Sequence, residues 1–227
     1  MKAETPWSKV FQLVLEATGD TIYMVGVATV FAALFGVPLG VLLHVTAPGG
    51  LSPRRLAHRL LSLVVDVGRS MPFIILLLAI SPFTKVVAGT TLGAEAAIVP
   101  LTVGAVPFVA RLVDNALREV DATVVEAAVT TGASRMKIVH SVLLRESAPG
   151  LVGAIGVTLV ALVGYSAMAG VVGAGGLGDL AIRYGYQRYD TRVMIASIVV
   201  LAVLVIVVQF GFDRAARLLD RRRRVNA

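Results

Sequence analysis

The sequence contains no cysteine, which excludes a disulfide framework, a thiolate metal site and a thiol nucleophile. Charge is scarce too: Asp, Glu, Lys and Arg make up 15% of the chain, against about 25% in soluble domains. No G-x4-G-K-[S/T] loop occurs, so the chain lacks that cradle for nucleotide phosphates, and energy for any work it does must come from another subunit. The three histidines, His44, His58 and His140, stand far apart, and neither a His-Glu-x-x-His helix nor a nucleophile elbow is present. Catalysis and metal binding are therefore not expected.

Apolar sequence dominates instead, with 57% of the 227 residues hydrophobic. A helix crosses a bilayer with roughly 20 mostly apolar residues, because the hydrocarbon core is about 30 Å thick. Runs 22–43, 147–178 and 193–212 carry no charge over that length. Runs 70–84 and 96–110 are shorter and reach it only by passing a flanking charge, Asp66 and Arg69 before one and Glu95 before the other. The composition thus predicts an all-α, polytopic membrane protein forming one domain over residues 1–227. Its five spans lie near 21–45, 60–83, 93–114, 148–172 and 192–213. Pro72, Pro82, Pro100 and Pro107 imply kinks or ends in the second and third spans, tolerable where neighbouring helices satisfy the freed backbone groups.

An odd number of spans puts the termini on opposite sides, and the side richer in Lys and Arg is the cytoplasmic one. Arg54, Arg55, Arg59, Arg118, Arg135, Lys137, Arg145, Arg214, Arg217 and Arg221 to Arg224 outnumber Lys2, Lys9, Lys85, Arg183, Arg188 and Arg192 on the opposite side. The expectation is an N-terminus outside and a C-terminus in the cytoplasm. The first apolar run is too long and begins too late for a cleavable signal peptide. Before it, Trp7, Val10, Phe11, Val14 and Leu15 recur at helical spacing, as in an interfacial helix or a frayed amphipathic lead-in. Gly36 and Gly40 form a G-x-x-x-G pair suited to close helix approach.

Between the third and fourth spans lies a polar stretch, 119–147, that reads as two short helices on the cytoplasmic side. Thr123-Val-Val-Glu126 matches a capping box. Gly132 is placed for a left-handed C-terminal cap, and Ser134 for the N-cap of a second helix reaching about Leu144. Val124, Ala127 and Ala128, then Ile138, Val139, Val142 and Leu143, give each helix an apolar face too large for so short a segment to bury alone, so a partner must cover the rest. A helix-turn-helix reading fails because Arg135 and Lys137 are the only basic residues of the would-be recognition helix and both ends are tethered to spans. No nucleic-acid partner is expected.

Glu126-Ala127-Ala128, then Gly132 after three residues, then Val142 and Leu144 ten and twelve residues on, resembles the EAA signature of ABC-importer permeases. Val142 replaces the family Ile and Arg145 the family Pro. Four longer strings extend the resemblance from the first span to the tail: Arg69-Ser-Met-Pro-Phe-Ile-Ile-Leu-Leu, Ala97-Ile-Val-Pro-Leu-Thr-Val-Gly, Val163-Gly-Tyr-Ser-Ala-Met-Ala-Gly and Val172-Gly-Ala-Gly-Gly-Leu-Gly. They look like the permeases of methionine importers. The resemblance implies ATPase docking through Glu126, Ala127, Ala128, Gly132, Ala133 and Ser134. It also implies a pathway lined by Tyr165 and Ser166, with Met168 as a constriction at a two-fold axis; plain helix packing is the other reading of this run. The implied partners are a second copy of the chain, two cytoplasmic ATPase subunits and an extracytoplasmic methionine-binding protein, in the inner membrane of a bacterium among its lipids. ATP and magnesium would be bound by the ATPase and no cofactor by this chain, and the solute would be D- or L-methionine. Another small amino acid, ion-coupled transport and a scaffolding subunit are the alternatives. Ion coupling would call for intramembrane acidic sites beyond the marginal Asp66 and Glu95.

Two further features are open to a double reading. Asp66 with Arg69, and Arg111 with Asp114, are each spaced three apart and can bridge along one helix face; Arg69 is also a candidate for the solute pathway. Gly173-x-Gly175-x-x-Gly178 matches the dinucleotide fingerprint as text. It ends a hydrophobic span, however, where close packing or a broken helix is expected rather than a strand-to-helix turn.

Overall fold

The structure, a computed structural model, describes residues 5–219. Lys2 and Arg221 to Arg224, which entered the charge balance, lie outside the described residues. Those described are helical almost throughout, with no strand among them. Helix α1 (Trp7–Thr46) opens the chain, followed by α2 (Arg55–Ser70), α3 (Phe73–Ala79), α4 (Ser81–Ala88) and α5 (Ala94–Arg118). The polar stretch holds α6 (Ala122–Thr130), α7 (Arg135–Ile138), a π-helical turn (Val139–Leu143) and α8 (Leu144–Glu146). Then come α9 (Ala148–Ala169), a 3-10 turn (Gly170–Val172), α10 (Gly176–Leu180), a second π-helical turn (Ala181–Tyr186) and α11 (Thr191–Leu219).

Four of these stretches are long and apolar enough to cross a membrane: α1, α5, α9 with its 3-10 extension to Val172, and α11. The fifth expected span is not a straight helix, because α2 and α3 meet at a bend of 103°. Pro72 sits as the N-cap of α3 with ψ 127°; a proline lacks the amide that would continue α2 and disfavours helical backbone in the residue before it. Pro82 likewise falls in the first turn of α4. Pro100 and Pro107, by contrast, neither end nor interrupt α5. The lead-in is a correction of another kind. Residues 7–20 are neither a separate interfacial helix nor a frayed entry but the first turns of the 40-residue α1.

The residues group into two compact units. One comprises Met1–Phe31, Met71–Ala105 and Leu159–Gln209, and the other Ala32–Ser70, Val106–Thr158 and Phe210–Ala227. In the first unit Val10, Val14 and Ala17 of α1 bury against Leu177, Leu180 and Val193, while Trp7, Phe11 and Leu15 on the opposite side of the helix stay exposed. Thr21 joins the same packing: its hydroxyl donates to the Ala17 carbonyl and accepts the Leu177 amide, at 2.9 Å each. The glycine-rich string does both things expected of it. Gly173, Gly175 and Gly176 have φ between 74° and 83° and break the helix, and a Cβ on Gly178 would stand 2.4 Å from the Ala167 backbone.

In the second unit the Gly36 and Gly40 pair packs α1 on α5. A Cβ on Gly40 would lie 2.5 Å from the Ala110 carbonyl, and one on Gly36 2.7 Å from the Val109 Cβ. Charges here form a network that keeps one expected intrahelical bridge, Arg111 with Asp114, and replaces the other. Asp66 pairs across with Arg111 at 2.5 Å rather than with Arg69, and Arg111 also reaches Asp114 at 3.4 Å. A guanidinium from a neighbouring helix competes better for Asp66 than Arg69 does, because Ser62 shares the contact, donating to Asp66 and accepting from Arg111 at 3.1 Å each.

Candidate functional site

The 119–147 stretch folds as two capped helices. Asp121 is the N-cap of α6, accepting the Thr123 amide at 2.9 Å and the Thr123 hydroxyl at 2.8 Å. The expected capping box built on Thr123 and Glu126 is therefore replaced two residues earlier: a carboxylate in extended backbone takes the free amide, and Thr123, now inside the helix, becomes a donor to it. Glu126 moves to the middle of α6, where its side chain is exposed.

The other end follows the sequence reading. Gly132 has φ +76°, and its amide bonds the Val129 carbonyl at 3.0 Å while the Ala133 amide bonds that of Ala128 at 3.2 Å. That pattern is a Schellman cap, which needs the left-handed residue only glycine adopts without strain. Ser134 then caps α7 by accepting the Lys137 amide at 3.4 Å. The second helix runs past the expected Leu144 to Glu146, through the π-helical turn that buries Val139 and Leu143. It ends at Ser147, whose hydroxyl donates to the Leu143 carbonyl at 2.7 Å. Arg145 lies inside this helix and lines a cavity of about 550 Å³ with Glu119, Ser141, Glu146 and Leu219, at the foot of α9.

None of the residues of α6 is buried. Ala127, Gly132 and Ser134 are exposed with Glu126, Ala128 and Ala133 are partly so, and Val124, Val129 and Met136 add large apolar side chains at the surface. Ile138 and Leu143 anchor the pair from beneath. A short helix with no buried side and an apolar exposed face cannot be held by its own packing alone. The sequence reading missed Val129 and Met136, although their apolar character in a polar stretch was a signal for them.

The pathway candidates divide between the units, with Arg69 in one and Tyr165, Ser166 and Met168 in the other. Arg69 is exposed. Tyr165 stacks on Phe73 with ring centroids 4.6 Å apart and planes 4° from parallel. Ser166 is 2% exposed and its hydroxyl donates to the Val163 carbonyl at 2.7 Å, which occupies its proton within its own helix. Met168 is 48% exposed.

Residues 7–225 match the model of the family described as "Binding-protein-dependent transport system inner membrane component". The probable D-methionine transport system permease protein of Vibrio cholerae is 50% identical over 210 residues, covering 92% of this chain and 93% of that one. The D-methionine transport system permease protein of Escherichia coli K12 is 49% identical over 158 residues, covering 70% and 73%. Among solved structures, the inward-facing MetNI methionine ABC transporter superimposes with a TM-score of 0.91 at 48% identity, covering 92% of this chain and 97% of that one. An amino acid ABC transporter solved with histidines shares the fold, with a TM-score of 0.72 at 19% identity and coverage of 95% and 96%. With an all-α membrane fold and the capped helix pair in place, the chain belongs to the family of binding-protein-dependent transport system inner membrane components.

Proposed function

We propose that this chain is the membrane-spanning subunit of an ATP-driven importer of D- and L-methionine. The observation that carries the reading is the capped, exposed pair α6 and α7, whose Ala127, Ala128 and Ala133 face is small enough for a partner backbone to come close. Relatives named for D-methionine transport at about half identity over most of the chain support the solute. Two copies enclose the pathway, since five spans in one chain make only half of it. Two ATPase subunits bind ATP and magnesium and dock on α6 and α7 from the cytoplasm, and an extracytoplasmic methionine-binding protein delivers solute to the opposite side. The N-terminus is outside and the C-terminus inside.

The chain's own contribution is mechanical. A bound nucleotide shifts the access equilibrium only by its differential affinity for the two states, and α6 and α7 are where that difference enters these helices. Met168, half-exposed on α9, narrows the path, and Tyr165 borders it.

Reconstitution of the chain with its ATPase and binding protein in proteoliposomes tests this reading. Methionine uptake that requires ATP is the expected result. Uptake driven by an ion gradient without ATP, or ATPase binding without uptake, overturns it, and preference for another amino acid overturns the solute alone.

A further inference from the structure

Asp114 is the least accessible charged side chain in its surroundings, 0% exposed, and it touches neither the docking face nor the pathway candidates. One of its oxygens accepts from Arg118 Nε at 3.2 Å, Arg118 Nη2 at 3.1 Å and Arg111 Nη1 at 3.4 Å. The other lies 3.5 Å from His44 Nδ1. Arg111 extends the cluster to Asp66 at 2.5 Å and Ser62 at 3.1 Å. Three helix ends meet here: His44 is in the last turn of α1, Asp66 in the last turns of α2, and Arg118 is the final residue of α5. Three residues beyond Arg118, Asp121 caps the first docking helix.

A buried carboxylate with this many cationic donors is not explained by stability. Removing it from water costs more than its partners readily return, and an apolar residue of similar size would pack as well or better. What the cluster supplies is geometry: Arg111 and Arg118 hold the carboxylate from α5 itself, and its free oxygen is left facing His44 at the end of α1. Without Asp114, Arg111 would still hold Asp66 and Arg118, half-exposed, would turn to solvent, but α1 and the exit of α5 would lose their common anchor.

We propose that Asp114 is a positioning residue for energy coupling: through His44 it holds the end of α1 to the exit of α5 at the root of α6, so that a displacement of the docking pair moves both ends together. This rests on the importer reading above. The two ends are joined at the His44–Asp114 contact, and the chain from Arg118 to Asp121 is too short to absorb a movement of α6.

The test compares wild type, Asp114→Asn and Asp114→Glu in the full complex in proteoliposomes, measuring assembly, ATP hydrolysis and methionine uptake on the same preparations. Asp114→Asn is expected to assemble and hydrolyse ATP while moving about 5-fold or more less methionine per ATP, and Asp114→Glu to recover most of that ratio. A merely structural residue would change the amount of assembled complex and leave the ratio alone. Should Asp114→Asn fail to assemble, Arg118→Gln, at a half-exposed side chain, reads the same ratio. An unchanged ratio in the assembled variant overturns the proposal. A wild-type complex that moves no methionine overturns the importer reading and the coupling role together, whereas normal wild-type uptake with an unchanged ratio overturns the coupling role alone.

Discussion

Replacing Gly40 with Ala adds one methyl group where α1 meets α5, and the structure sets what it costs. The new Cβ would stand 2.5 Å from the Ala110 carbonyl oxygen, 2.7 Å from Val113 Cβ and 2.8 Å from Val113 Cγ1. Ordinary contacts are about 3.5 Å, so the helices must part by about 1 Å. The Val113 side chain can yield; a backbone carbonyl inside a helix cannot. Overpacking of this kind costs about 1–3 kcal/mol. Alanine also gains about 1 kcal/mol over glycine in a helix, so the informative control is Gly26→Ala in the same helix, where nothing lies within 4 Å. Propensity then cancels between the variants, and Gly40→Ala should be less stable than Gly26→Ala by about 1–3 kcal/mol. Denaturant unfolding of the purified chain in lipid bicelles, followed by near-ultraviolet circular dichroism, measures the difference. Equal stability of the two variants would refute the close approach at Gly40. Because Gly36→Ala relaxes through the same separation, the double variant Gly36→Ala with Gly40→Ala should cost less than the sum of the singles.

Acid should act at Asp190, outside the spans. Burial raises its pKa, but hydrogen bonds from the Thr5 hydroxyl and amide and from the Val193 and Arg192 amides outweigh that and hold it below the ordinary 3.8. A depressed carboxylate stabilises the fold above its unfolded pKa and loses that contribution as pH falls through the folded value. Thermal unfolding should therefore show Asp190→Asn below wild type by a constant gap from about pH 5 to 8 that narrows below about pH 4; a gap independent of pH contradicts this. Asp121→Ala and Ser134→Ala each remove a helix cap worth about 1 kcal/mol. Both should speed hydrogen exchange in 121–138 and weaken ATPase capture, with the rest of the chain unchanged. Met168→Ala should lower the amount of methionine moved per ATP hydrolysed, which parallel uptake and phosphate-release assays read directly.

What the sequence made legible was local. Gly132 and Ser134 sit where the chain turns within a few residues, so their chemistry alone specifies a left-handed cap and an N-cap. Asp121 and Thr123 show the limit: either can cap, and the choice depends on which of them is in extended backbone. The Asp66–Arg111 pair joins residues 45 positions apart, beyond any periodic pattern, whereas an Asp66–Arg69 bridge was suggested by helical spacing that the fold did not use. Prolines were ambiguous for a physical reason. Pro72 falls at the break between α2 and α3, while Pro100 and Pro107 are carried inside a continuous α5. The exposure of α6 was foreseeable from its length, because a nine-residue helix offers too little surface to bury one face by itself.

The π-helical turn at Val139–Leu143 bears on how this chain can change length. In an α-helix positions 138 and 143, five steps of about 100°, would point well apart; here Ile138 and Leu143 are both buried, the wider turn having absorbed one surplus residue. Deleting a single residue within that turn would close it to ordinary α-helix and leave Ser134 and Ala148 facing as they do. The same deletion in α6, which has no such slack, would swing Ala127 and Ala128 round by about 100°. The second helix of the pair can lose a codon; the first cannot.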